Sequence, residues 1–408
     1  MSEPAGNPTR AWLTVVLLWF VGCINYLDRV MITTMRQSLV EAIPMTDAQF
    51  GLLTTIFLIV YGVLSPFAGY LADRFNRSQV IIVSLVAWSV ITWLTAHATT
   101  YGQLLATRAL MGVSEACYIP AALALIADHH GPRTRSLANG VHLSGVMVGA
   151  GMGGVGGWIA EQHGWAQAFA WFGQLGVALA IVAAWYLRDQ RAPEPAAARP
   201  AEPVRLGAAL RSLFGSGTFL LALGFWGLLG MSVWAVVGWM PTYLKEQFTL
   251  GQGEAGLSAT AYYQGASIVG VLFGGWWADR WSRTRADAPM QVPLIGMALA
   301  APAILLAASA GTFWLAIAGL MLFGLTKSFA DANMMPILTL VADQRYRATG
   351  YGVLNLCACL VGGFTIYAGG ALRDAKLDVD TIFFGGAAAT AACGGLLWLV
   401  RKRGVPAA

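Results

Sequence analysis

Long apolar runs alternate with short polar connectors along the whole chain. A membrane-crossing helix needs about 20 mainly apolar residues. Runs of that kind recur at 11–35, 50–72, 78–97, 101–127, 136–160, 166–187, 217–244, 255–278, 290–310, 312–341, 348–371 and 380–400, with Gly, Pro and charged residues marking their ends. The pattern predicts an all-α membrane protein with twelve transmembrane helices. The first run, Ala11 to Met35, is too long for a signal-peptide core and lacks a small-residue cleavage site, so it is expected to be a retained first span. The longest polar connector, 188–214, contains APEPAAARPAEPVR and is too polar to fold alone. It divides the chain into an expected N-terminal bundle, 1–187, and a C-terminal bundle, 215–408, of six spans each.

Composition agrees with lipid as the solvent. Hydrophobic residues make up 57% and charged residues 11%, with a mean hydropathy of +0.62; soluble domains carry roughly 25% charge. The net charge of +5 does not indicate a nucleic-acid partner, because the basic residues fall between apolar runs and form no single clustered face. With the N-terminus in the cytoplasm, 18 of the 25 Lys and Arg lie on the cytoplasmic side, 4 on the opposite side and 3 within spans. That bias predicts an inner-membrane, multi-pass chain with both termini cytoplasmic, and lipid headgroups as its anionic neighbours. Cys23, Cys117, Cys357, Cys359 and Cys393 all fall in apolar runs without metal-ligand spacing, and read as small buried side chains. No nucleophile, zinc or phosphate-loop motif is present, so the expectation is a non-enzyme without cofactor or metal. His129-His130 falls in a cytoplasmic loop beside Arg133 and reads as a topology signal.

The two halves repeat. The loop after span 2 reads Gly69-Tyr-Leu-Ala-Asp73-Arg74-Phe-Asn-Arg77, and the loop after span 8 reads Gly275-Trp-Trp-Ala-Asp279-Arg280-Trp-Ser-Arg283, offset by 206 residues. Ala127-Asp128 before Arg133 and Arg135 is echoed by Ala342-Asp343 before Arg345 and Arg347. Parallel six-helix repeats are a secondary-transporter architecture.

Charges inside a bilayer are expensive and mark pathways or binding sites. Asp28, Arg29, Arg108, Glu115, Lys327, Asp331 and His142 all fall within spans. Arg29 and Arg108 are each about seven residues from the outer end of their span, hence at similar depth, and Glu115 follows Arg108 by seven, two turns along one face and about 10 Å farther in. Two acids and two arginines sum to zero. Glu115, expected to lie farther from the arginines, is the better proton carrier on this reading, with Asp28 remaining ionised. Arg29 and Arg108 are suited to an anion because the guanidinium fork stays protonated and pairs bidentately. Lys327 and Asp331, four apart, are either a self-neutralising pair or place Lys327 against substrate; Gln264, Asn355, Asn333, Tyr262 and Tyr263 are neutral polar candidates. The glycine-rich span 5 (Gly145, Gly149, Gly153, Gly156 among others) reads as a close-packing helix surface.

The repeated Gly-x-x-Ala-Asp-Arg-x-x-Arg loop and the Gly164-Trp165-Ala-Gln-Ala-Phe169 element resemble the major facilitator superfamily over essentially the whole chain. The resemblance implies two pseudo-symmetric six-helix bundles, a monomer, and a conformational latch at Asp73, Arg74, Asp279 and Arg280. Tyr26-Leu-Asp28-Arg29, Arg108…Glu115 and Tyr61 resemble the anion:cation symporter branch, which includes sialin and sugar-acid carriers. Gly112-Val113-Ser114-Glu115-Ala116 is equally similar to the Spinster-like branch. The first resemblance implies a secondary active transporter that moves a small organic anion, a carboxylate or sugar acid, in symport with protons by alternating access. Asp28 and Glu115 would couple protons; Arg29, Arg108, Tyr26, Asn25, Tyr61, Lys327, Asn355 and Gln264 would bind substrate. The alternatives are a Spinster-like proton-coupled lysolipid carrier and, from another class, a membrane solute receptor that does not translocate.

Overall fold

A computed structural model describes residues 8–131, 134–187 and 206–404. Residues 188–205 of the connector and Arg133 lie outside the described residues, as does the side chain of Asp73. Span 1 is α1 (Pro8–Thr34), followed by short α2 (Arg36–Ala42); spans 2 and 3 are α3 (Asp47–Arg74) and α4 (Arg77–Thr95). Span 4 is α5 (Tyr101–Glu115) and α6 (Tyr118–His129), span 5 is α7 (Arg135–Gly151) and α8 (Gly154–His163), and span 6 is α9 (Trp165–Tyr186). Then come α10 (Leu206–Phe214), α11 (Gly217–Phe248), α12 (Gln252–Leu257) and α13 (Tyr263–Ser282), and last α14 (Ala288–Ala308), α15 (Phe313–Val341), α16 (Arg347–Asp374) and α17 (Val379–Gly404). Among the described residues, eleven helices are long and apolar enough to cross a membrane. The twelfth run, span 8, is α12 joined to α13 through a π-helical turn at Ser258–Tyr262. Its Thr260, Tyr262, Tyr263, Gln264 and Ser267 dilute the apolar run.

The structure adds three local details. Span 4 crosses as one apolar stretch, Tyr101–His129, but a two-residue turn interrupts it: α5 stops at Glu115 and α6 starts at Tyr118. Pro120 has no N–H for the carbonyl of Ala116, and its ring crowds that carbonyl. Span 5 breaks likewise at Met152-Gly153 between α7 and α8. The end of the 188–214 connector, expected to be unable to fold alone, is helical where it packs on the second unit. Its last nine residues form α10, which buries Ala209 and Leu213 at helical spacing. Leu213 joins the core made by Phe219, Phe225, Ile337 and Leu354.

The described chain divides into two compact units. The first comprises Met1–Met45, Ile59–Ala198 and Gly251–Leu257. In it α1 packs on α7 and α4 on α9, around Leu18, Leu85, Trp88, Tyr118 and Leu125. The contact of α1 with α7 demands glycine, since a Cβ on Gly149 would fall on the Cys23 backbone carbonyl. The second unit comprises Thr46–Leu58, Arg199–Leu250 and Ser258–Ala408. There α11 packs on α16 and α14 on α17, the same pairing of first with fifth and third with sixth span. Within this unit Arg373 of α16 bonds both Asp47 (2.9 Å) and Glu246 (2.8 Å).

The repeated loops have diverged. Arg77 pairs with Asp128 in the first unit. At the corresponding position of the second, Asp343 turns back on Arg345 at 2.6 Å. The hydrogen bonds from the Arg345 side chain and N–H hold the Asp343 carboxyl down at about 2. Asp279, Arg280 and Arg283 are exposed.

Candidate functional site

Residues of the first unit, from four helices, bring the intramembrane charges together. On α1, Asn25, Tyr26 and Arg29 share a face by their spacings of three and four. On α5, Arg108, Met111, Gly112 and Glu115 form the buried face. Tyr61 comes from α3 and Thr92 from α4.

The centre is a buried ion pair. Arg29 Nη2 donates to Glu115 Oε2 at 2.9 Å, and Arg29 Nε donates to the same oxygen at 3.3 Å. Arg29 is 5% exposed and Glu115 1%. The guanidinium carbon also lies 4.3 Å from the Tyr26 ring centroid and 4.4 Å from that of Tyr61. Each such desolvated contact contributes about 2 kcal/mol. The second oxygen of Glu115 has no hydrogen-bond partner among the described residues. Asn25 is fully buried beside this carboxylate, with its amide directed at the Glu115 side chain.

Asp28, also fully buried, accepts from the Thr92 hydroxyl at 3.2 Å. Arg108 is fully buried, with Nη1 2.8 Å from Met111 Sδ, and lies within electrostatic range of Glu115, Asp28 and Arg29. The sequence expectation for the two acids is therefore reversed at one point. Glu115 does not stand away from the arginines; it is the direct partner of Arg29. Asp28, expected to be the acid closer to positive charge, instead meets a neutral hydroxyl. Helical spacing along α5 does not determine which residue of α1 Glu115 faces. Thr92 was not singled out from the sequence. The signal available was the string of small polar residues on span 3, of which Ser84, Ser89, Thr92 and Thr95 are buried.

His142 belongs to a different cluster. It is fully buried, and its Nδ1 donates to the Leu18 carbonyl (3.1 Å), which also accepts from the Tyr118 hydroxyl (2.8 Å). In the second unit the candidates are distributed over three helices. Lys327 is bonded to Asp331 at 2.5 Å on α15, the self-neutralising arrangement. Asn333 donates to the Phe329 carbonyl of its own helix. Gln264 on α13 and Asn355 on α16 are half-buried. Among the described residues no cluster of metal-ligating side chains occurs.

Two sets of apolar spans with matching helix pairings, one holding a buried charged cluster, agree with the architecture of secondary transporters. The profile of the Major Facilitator Superfamily matches residues 18–366 and 228–408, and the chain belongs to that family. It is 26% identical over 318 residues to Protein spinster homolog 1 of Xenopus laevis, covering 73% of this chain and 60% of the relative. With the human Protein spinster homolog 1 the identity is 28% over 308 residues, covering 71% and 58%. The matches thus span about 60% of the length of these relatives. A solved bacterial homologue of the human lysosomal transporter Spinster, in an inward-facing and unoccupied conformation, superposes with a TM-score of 0.78 at 21% identity, covering 97% of this chain and 96% of that one.

Proposed function

We propose that this transporter carries an organic anion together with protons, and that Arg29 is the anion's binding group. The observation that carries the reading is the sharing of one buried guanidinium by Glu115 and two tyrosine faces. Fully ionised, Asp28, Arg29, Arg108 and Glu115 sum to zero charge. A monovalent anion entering this site adds one negative charge, and an uncompensated buried charge is costly. Neutrality is kept if the anion takes the place of Glu115 on Arg29 and the released Glu115 takes up a proton. A buried carboxyl without its counter-charge is favoured in the neutral form. Binding of anion and proton is thereby one event. Asp28, bonded to Thr92, is a second station for the same proton and adds none to the count. The carrier works as a monomer in the inner membrane with both termini cytoplasmic, and the loops at Asp73-Arg74 and Asp279-Arg280 act as its conformational latch.

The second reading, a lysolipid as the anion, is supported by the similarity to Spinster homologues. Both readings place an anionic head at Arg29 and differ in whether a long apolar tail is required. Proteoliposomes with an imposed inward proton gradient test them. Accumulation of a small carboxylate or sugar acid supports the first reading. Accumulation of lysophospholipid, blocked by other lysolipids and not by sugar acids, supports the second. Absence of transport of any of these classes would leave a solute receptor.

A further inference from the structure

An apolar groove of about 650 Å³ lies between α14 and α17 of the second unit, on helices that the charged cluster does not use. Its floor is buried Met297, Ala301 and Ala387; its rims are Leu305, Phe384 and Ala391. The concavity arises from small residues. Five of its lining positions are alanines and one is Gly394, beside Met297 at 3.7 Å for an added Cβ, so few long side chains fill the space.

The groove leads to positive charge. On α17 the lining positions 384, 387, 391 and 394 continue at helical spacing to Trp398 and Lys402. Lys402 is exposed and lies 3.7 Å from the Trp398 ring centroid; Arg403 beside it is exposed too. Lys402 is eight residues beyond Gly394, about 12 Å along the axis. Arg401, by contrast, is committed: it bonds Asp287 at the start of α14 at 2.7 Å and ties this end of the two helices together. An amphiphile with an anionic head at Lys402 and Arg403 would therefore have its chain laid into the groove about 12 Å deeper, past the Asp287–Arg401 tie.

We propose that this groove holds one acyl chain of an anionic bilayer phospholipid, with the headgroup at Lys402 and Arg403. Two features select this occupant. The groove is apolar and opens sideways on spans whose surroundings are hydrocarbon. The exposed cations at its end match an anionic headgroup, each contributing a few-fold in affinity. The site is separate from the Arg29 cluster and independent of the transported substrate.

The test is native mass spectrometry of the purified full-length protein with added dioleoyl phosphatidylglycerol or dioleoyl phosphatidylcholine. Wild type is expected to retain one phosphatidylglycerol and to prefer it to phosphatidylcholine. The double variant Lys402→Gln, Arg403→Gln, which changes exposed side chains, should weaken phosphatidylglycerol retention roughly 30-fold and remove the preference. Ala391→Phe, which fills the groove, should abolish retention. Val182→Phe, at an exposed apolar position of α9, should leave it unchanged. Equal retention of the two lipids by wild type, or unchanged retention in the double variant, would overturn the proposal. Unchanged retention in Ala391→Phe would overturn it as well.

Discussion

Replacing Glu115 by Gln separates the two roles of its carboxylate. Gln occupies the same volume and still offers an oxygen to Arg29, so the side chains of the site stay packed. What changes is competition. In the wild type an incoming carboxylate must displace an ionised acid whose Oε2 accepts from both Nη2 and Nε of Arg29, at 2.9 and 3.3 Å. Hydrogen bonds to charged groups contribute about 1.5–3 kcal/mol. Replacing the charged acceptor by an amide removes most of that competing interaction. At 1.4 kcal/mol per factor of ten, anion affinity in Glu115→Gln should rise about 10- to 100-fold. The pH response should change too. In the wild type, binding takes up a proton, so affinity increases as pH falls, up to tenfold per pH unit. In the variant this slope should flatten, leaving whatever Asp28 contributes. Isothermal titration of detergent-purified protein between pH 5.5 and 8 reads both quantities. An affinity that falls on substitution, or a slope that matches the wild type, would refute the displacement of Glu115 by substrate.

Three further outcomes follow from particular contacts. Arg29→Lys keeps the charge but loses the planar fork between Tyr26 and Tyr61; anion binding should weaken about 10- to 100-fold in the same titration. Gly149→Ala sets a Cβ on the Cys23 carbonyl and should destabilise the fold by about 1–3 kcal/mol in thermal unfolding, whereas Gly140→Ala, which meets nothing within 4 Å, should not. At Asp287, burial acts to raise the carboxyl, but hydrogen bonds from Gln291 and Arg401 outweigh it and hold the group below the usual carboxylate range. Its stabilisation is present above about pH 4 and is lost as pH falls through the lowered value. Asp287→Asn should therefore lower stability by under about 1 kcal/mol at pH 7, a difference that vanishes in strong acid.

The spans and the charged cluster were legible in the sequence because burying charge in a bilayer is costly enough to leave few innocent explanations for Asp28, Arg29, Arg108 and Glu115. Their pairing was not legible, because a linear count says nothing of rotation about the axis or of which neighbouring helix faces it; Arg29 and Glu115, expected about 10 Å apart in depth, are in direct contact. Hence Thr92 and the Arg29–Glu115 bond emerged from the fold alone. The break after Glu115 was legible in principle from Pro120, four residues beyond the carbonyl it frees. The helix α10 was harder to see. Its apolar residues recur at helical spacing over only nine positions, at the end of a polar connector. The repeated loops illustrate the converse. The loop motif is repeated in sequence, yet Asp128 pairs with Arg77 while Asp343 pairs with Arg345, because a motif fixes residue types and the local backbone chooses the partner.

The measurement that bears most directly on coupled binding at Arg29 is simultaneous recording of proton and anion flux in proteoliposomes holding the purified protein. Neutrality of the buried cluster requires about one proton per monovalent anion, uptake driven by a pH gradient and little affected by membrane potential, and loss of gradient-driven accumulation in Glu115→Gln with exchange retained. Anion entry driven by potential alone, without accompanying protons, would contradict it.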